Sequence, residues 1–241
     1  MKGFFYKLIC LENVHVKHYS WAFLLGFKNK KCIQMKKTAL ILLCALLFAA
    51  CNPQSKTEQQ ENENVMKRTD TLVSISPAEI PGNAIDMIAN GWMLITAGNK
   101  ETYNTMTASW GTLGQLWGKN VSTCYIRPER FTYEFIEKND YYTLCFFDEE
   151  YREALQYCGS KSGRDHPDKN KAEVAGLTPA CTENGSVYFK EAYLVLECKK
   201  LYAEQFRPEC FINEDILKTI YDENKGIHKA YIGEIVNCWI R

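Results

Sequence analysis

Asn104-Thr105-Met106-Thr107-Ala108-Ser109-Trp110 and Arg127-Pro128-Glu129-Arg130-Phe131-Thr132 are two short polar runs, and each follows a stretch that reads as a β-strand. Trp92-Met93-Leu94-Ile95-Thr96-Ala97-Gly98 ends at a Gly98-Asn99 turn, so Met106 to Trp110 is expected to return as its hairpin partner. Val121 to Ile126 forms a further strand and stops at Pro128, which has no N–H to give to a ladder. Together the two runs hold small hydroxyls, backbone donors, an indole and two guanidiniums. That mixture suits an anion attached to a flat aromatic ring, which points to a phosphorylated cofactor before any protein partner.

Working outward, Phe131, Phe135 and Ile136 sit at helical spacing, predicting a short helix over Phe131 to Lys138. Tyr141 to Phe147 is rich in aromatics and reads as a strand. Glu149 to Cys158 predicts a second helix, with Gly159 as its C-cap. Lys161 to Thr182 reads as a long loop, and a loop of that length inside a compact domain usually has a function. Val187 to Phe189 and Tyr193 to Leu201 resume strands, Asn213 caps a helix through Tyr221, and Ala230 to Ile240 is a closing strand. Runs of strands with a few interposed helices, rather than regular alternation, favour a closed or split antiparallel barrel.

The two runs are followed by Gly159-Ser160-Lys161-Ser162-Gly163-Arg164-Asp165, then Ala175-Gly176-Leu177-Thr178-Pro179, then His228 ahead of Tyr231-Ile232-Gly233-Glu234. In this order the motifs resemble the flavin reductase-like, FMN-binding split-barrel family, specifically its flavoredoxin-like branch, from roughly Pro81 to the C-terminus. The resemblance implies a mainly β fold, an antiparallel Greek-key split β-barrel with interposed helices. It also implies bound FMN, homodimers in which the second chain helps to shape the pocket, and an oxidoreductase that moves electrons from a reductant through the flavin to an acceptor. A non-catalytic module that stores or senses FMN, or takes another flat ligand such as haem, is the alternative.

An FMN site needs contacts for the phosphate, shape for the ring, and hydrogen bonds that tune the ring. Successive backbone N–H groups over Asn104, Thr105, Met106, Thr107, Ala108 and Ser109 suit the ring edge, where donors stabilise negative charge. Trp110 either walls the ring or belongs to the core. Arg130 and Thr132 are expected to join the N-terminus of the following helix in holding the phosphate. Arg127 either joins them or braces the turn, and both arginines also read as ordinary surface residues. By resemblance the Ser160, Lys161 and Ser162 loop closes over the cofactor. His228 reaches the ring or a substrate, or is structural, whereas His166 is expected to face solvent. No side chain stands out as catalytic, and no metal-ligand spacing is present.

The first seventy residues have another logic. Lys36 and Lys37, the apolar run Ala39 to Phe48, and Ala49-Ala50-Cys51 have the order of a secretory signal, with Cys51 resembling the lipid-bearing residue of a bacterial lipoprotein. Residues 1–34 fit an over-extended start with translation from Met35, or else a genuine basic segment. Residues 35–50 would then be the signal, and 51–70 a polar tether with a reach of roughly 25 Å. Residues 71–241 form one domain. On this reading the domain is exported and held at the cell envelope by its lipid, and without processing it stays cytoplasmic. NADH and NADPH are cytoplasmic pools, so a nicotinamide donor suits only the second case, and donor and acceptor stay open.

Charge and cysteines bound the rest. The chain has 29 basic and 29 acidic residues and no basic stripe, so nucleic-acid binding has no electrostatic footprint. Of eleven cysteines, seven lie beyond Cys51: Cys124, Cys145, Cys158, Cys181, Cys198, Cys210 and Cys238. Cys124, Cys145, Cys198 and Cys238 sit in apolar strand-like runs and read as buried thiols. The remaining three leave room for one disulfide.

Overall fold

The computed structural model describes residues 71–166, 168–221 and 226–241. The expected start, signal, tether and lipidated Cys51 all lie outside the described residues.

The strands are β1 (Val73–Ser74), β2 (Met93–Gly98), β3 (Tyr103–Ala108), β4 (Gly111–Leu116), β5 (Lys119–Ile126), β6 (Tyr141–Phe146), β7 (Pro179–Cys181), β8 (Val187–Phe189), β9 (Leu194–Gln205) and β10 (Lys229–Ile240). The helices are α1 (Ala84–Asp86), α2 (Phe131–Lys138), α3 (Arg152–Ser160), α4 (Lys171–Val174) and α5 (Glu214–Ile220). The main sheet runs β3-β2-β6-β9-β10-β5-β4, with β1 added to β10, and every ladder is antiparallel. Mostly antiparallel strands with interposed helices form a split barrel, as the sequence led us to expect. The split falls between β3 and β4, the two ends of the path, which Ser109 and Trp110 join.

Both faces of the central strands are covered, which explains their continuous apolar runs. On β2, Met93, Ile95 and Ala97 point into one cluster with Ile126, Ile136, Tyr142, Leu144 and Tyr231. Leu94 points the other way, against Cys145, Leu155, Cys158, Phe189 and Val195. The second cluster seats α3 on the outside of the barrel, beside β3.

Several boundaries differ from expectation. The hairpin partner of β2 begins at Tyr103 and ends at Ala108, so Trp110 lies beyond it. An extra hairpin, β4–β5, turns at Trp117-Gly118; its first strand, Gly111-Thr112-Leu113-Gly114-Gln115-Leu116, repeats every three residues and lacks the period-two apolar pattern of a strand, which hid it. Gly159 is not a C-cap: α3 continues through Ser160, and a Cβ at Gly159 would stand 3.2 Å from Thr107 Cβ. Its role is to let the helix approach β3. The expected 161–182 loop contains α4 and β7, and β7 pairs with β8.

All seven cysteines of the described residues are free. Burial drives the Cys145, Cys198 and Cys238 thiols up to about 12 and Cys158 to about 11, so these are packing groups rather than nucleophiles.

Candidate functional site

Two adjoining spaces open at the split of the barrel. The larger, about 450 Å³, is lined by Met106, Thr107, Ala108, Ser109 and Trp110 on one side and by Tyr125, Arg127, Glu129, Arg130 and His228 on the other. The smaller is a cup of about 110 Å³ bordered by Asn104, Met106, Arg130, Thr132, Ser160, Lys161, Ser162 and Lys171. Met106, Glu129 and Arg130 border both. The structure therefore brings the polar runs and the 160–162 turn to one place. Thr105 is the exception among the predicted residues: it is fully buried and its hydroxyl donates to Ile95 O at 3.2 Å.

The cup is built from a helix start and a helix end. Arg130 is the N-cap residue of α2, and no side chain caps that helix. An uncapped N-terminus presents free N–H groups and the positive end of the helix dipole. Thr132 accepts a hydrogen bond from Asn104 Nδ2 at 2.8 Å, which leaves its own hydroxyl proton to donate elsewhere. Arg130 Nη2 donates to Gly159 O at 2.9 Å, tying α2 to α3. Gly163 lets the turn close against β3, since a Cβ there would collide with Asn104 Oδ1 and lie 2.9 Å from Phe131 Cδ1.

The larger cleft has a different character. The Thr107 hydroxyl is spent on Leu155 O in α3. Trp110 is half exposed at 48%, so it is a wall and not core, and its ring lies 5.3 Å from that of His228. Arg127 Nε donates to His228 Nε2 at 3.4 Å, so the imidazole carries its proton on Nδ1, 2.8 Å from Tyr221 Oη. Burial, with Arg127 and Arg130 nearby, lowers His228 to about 4, and it is neutral at physiological pH. Arg127 also donates to Ile220 O at 3.2 Å and lies over the Tyr221 ring, so it braces the end of α5. His166, expected to face solvent, is half-buried with Nε2 3.3 Å from Tyr157 Oη.

Lys171 escaped the sequence reading. A lysine after Asn170 in a polar stretch looks solvated, and only the packing of α4 under α3 buries it, at 3% exposure. Glu129 and Tyr125 were likewise missed. Among the described residues no cluster of His, Cys, Asp or Glu is disposed to hold a metal ion.

The chain matches the family described as flavin reductase like domain over residues 85–241. It belongs to that family. No curated protein matches the chain. Among solved structures, an FMN-binding domain of a flavin reductases-like enzyme from Shewanella baltica is similar at 18% identity and a TM-score of 0.51, over 70% of this chain and 77% of that one. An FMN-binding protein from Thermus thermophilus, solved with bound p-hydroxybenzaldehyde, gives 19% and 0.50, over 67% and 77%. A flavoredoxin from Methanosarcina acetivorans gives 18% and 0.49, over 68% and 75%. At these identities the first two likenesses show the fold alone.

Proposed function

We propose that this flavin reductase like domain binds FMN and works as an oxidoreductase, passing electrons from a reductant to an acceptor. The observation that carries the reading is the adjoining pair of spaces, a cleft walled in part by an indole and an imidazole beside a cup bordered by Arg130, Lys161 and Lys171, with the Glu129 carboxylate at the edge of both. The residues fit the group. Arg130, Lys161, Thr132, Ser160, Ser162 and the start of α2 would hold the phosphate. Met106 to Trp110 and His228 would hold the ring. Bound there, FMN supplies one- and two-electron redox chemistry. The protein orients it, and Trp110 with His228 narrows the access of water to one face. His228, being neutral, accepts from Arg127 and does not serve as an acid near pH 7.

The test is a spectrum. Purified protein, or protein mixed with FMN, should be yellow and hold the flavin through gel filtration. Protein that stays colourless and ignores added FMN refutes the proposal. Bleaching by dithionite with no turnover on NADH, NADPH or artificial donors would assign storage or sensing instead.

Two further proposals concern partners. A second copy of the chain is the fitting occupant for the exposed aromatic pair Trp117 and Tyr202, 60% and 47% exposed. Trp117 and Tyr202 already meet edge to face at 6.4 Å, which gives such an interface an aromatic centre. Trp117→Lys should convert a dimer to a monomer in sedimentation, and an unchanged dimer would place the interface elsewhere. The lipid anchor on Cys51 is the second, tested by palmitate labelling and fractionation. Labelled, membrane-bound protein would favour a membrane or small-molecule reductant, and unlabelled cytosolic protein would restore NAD(P)H.

A further inference from the structure

A helix end is the wrong pole for an anion. The last carbonyls of a helix carry about half a negative charge between them. Yet Ser160, Lys161 and Ser162, at the C-terminal end of α3, form one side of the cup. Something must cancel that pole. Tyr157 O is taken by the Lys161 N–H at 3.0 Å, and Gly159 O by Arg130. Two more carbonyls at this end, Cys158 O and the Lys161 O just past the helix, go to one side chain: Lys171 Nζ donates to them at 2.5 Å and 2.7 Å.

We propose that Lys171 is the positioning residue that sets the charge of the cup, clamping the end of α3 and turning it into one wall of a receptor for a phosphate monoester. This rests on reading the cup as the phosphate site of a flavin. Two of the three ammonium N–H groups are committed to carbonyls, and the third remains for the space that Lys171 borders. Among the described residues no carboxylate lies within ion-pair distance of Lys171. A buried ammonium with no carboxylate in direct contact is costly, Asp165 offsets only part of that from a distance, and a dianion in the cup would supply a closer counter-charge.

Lys171 is packed by Cys158 of α3, Arg130 at the start of α2, and Lys161 and Asp165 of the intervening turn, with Glu129 across the cup. Burial, aided by Arg130, pulls its ammonium down to about 8, against the opposing pull of Cys158 and Asp165. A bound dianion raises it again. Binding above pH 8 then takes up a proton, and affinity for a phosphate monoester falls up to about tenfold per pH unit.

The experiment titrates the full chain with FMN and with riboflavin, which lacks the phosphate, from pH 7 to 9.5 by flavin fluorescence. Wild type should lose FMN affinity above pH 8 and hold riboflavin evenly. Lys171→Gln should bind FMN at least about tenfold more weakly at pH 7, with no such slope. Lys171→Arg, permanently charged, should keep more of the affinity and lose the slope. A glutamine variant that binds FMN like wild type, or a slope that survives in it, overturns the proposal. Should wild type bind neither flavin, the flavin reading fails separately. The lysine resonance is then followed by NMR with inorganic phosphate: an upward-shifted titration supports the proposal, and an unmoved one overturns it. That measurement on wild type also decides the matter if the glutamine variant fails to fold.

Discussion

Gly163→Ala places a methyl group where the turn meets β3. The new Cβ would overlap Asn104 Oδ1 and come within 2.9 Å of Phe131 Cδ1. Asn104 cannot simply swing away, because it is 2% exposed and its Nδ2 is held by Thr132 Oγ1 at 2.8 Å and Thr105 O at 3.2 Å. Either the amide rotates and gives up Thr132, or the turn lifts off the barrel; both deform the cup. Overpacking of this kind costs about 1–3 kcal/mol. If the cost falls on the ligand-competent form, FMN binding weakens about 5-fold to 150-fold, at 1.4 kcal/mol per tenfold. Gly163 does not border the larger cleft, so riboflavin affinity should change much less. Fluorescence titration with both flavins, beside a thermal melt of the ligand-free variant, reads the difference. Equal losses for the two ligands, or none for FMN, would refute the claim that this turn grips the phosphate.

Two other outcomes test the frame around the site. His228 folds with a value near 4, below the ordinary 6.5 or so, and so binds its proton more readily unfolded. Stability should therefore fall as pH drops from about 6.5 to 4 and this part should level off below; urea midpoints of His228→Asn should lack that component, and matching slopes would show the histidine is not involved. Glu197 is fully buried, and burial alone would raise its carboxyl, yet hydrogen bonds donated by Thr182, Asn237 and Asn184 hold it below the usual value. Glu197→Ala strands those donors and should cost about 2–4 kcal/mol, lowering the melting temperature by on the order of 10 °C near neutrality, with the difference from wild type shrinking in acid; a melt within a degree of wild type would contradict this.

Much of this was legible because local chemistry and tertiary role coincide. The strand β5 really stops at Ile126, just ahead of Pro128, and Arg130 really opens α2. The buried thiols at Cys124, Cys145, Cys198 and Cys238 followed from their apolar runs. What stayed hidden depends on who sits across the barrel. Gly159 looked like a stop signal, whereas its lack of a side chain serves Thr107 on another element. Thr105 and Thr107 share a motif with the cleft residues, but their hydroxyls are spent on Ile95 O and Leu155 O. Lys171 carries no local mark of burial at all. The β4 strand escaped because its glycines and polar residues give no apolar alternation.

His228 enters the last strand of the sheet, and β10 lies between β9 and β5. The wall that His228 gives the cleft therefore stands only once β10 has paired with both of its neighbours, a strand of the 194–205 segment and one more than a hundred residues earlier in the chain. Closure of this end of the barrel and completion of the cleft are one event.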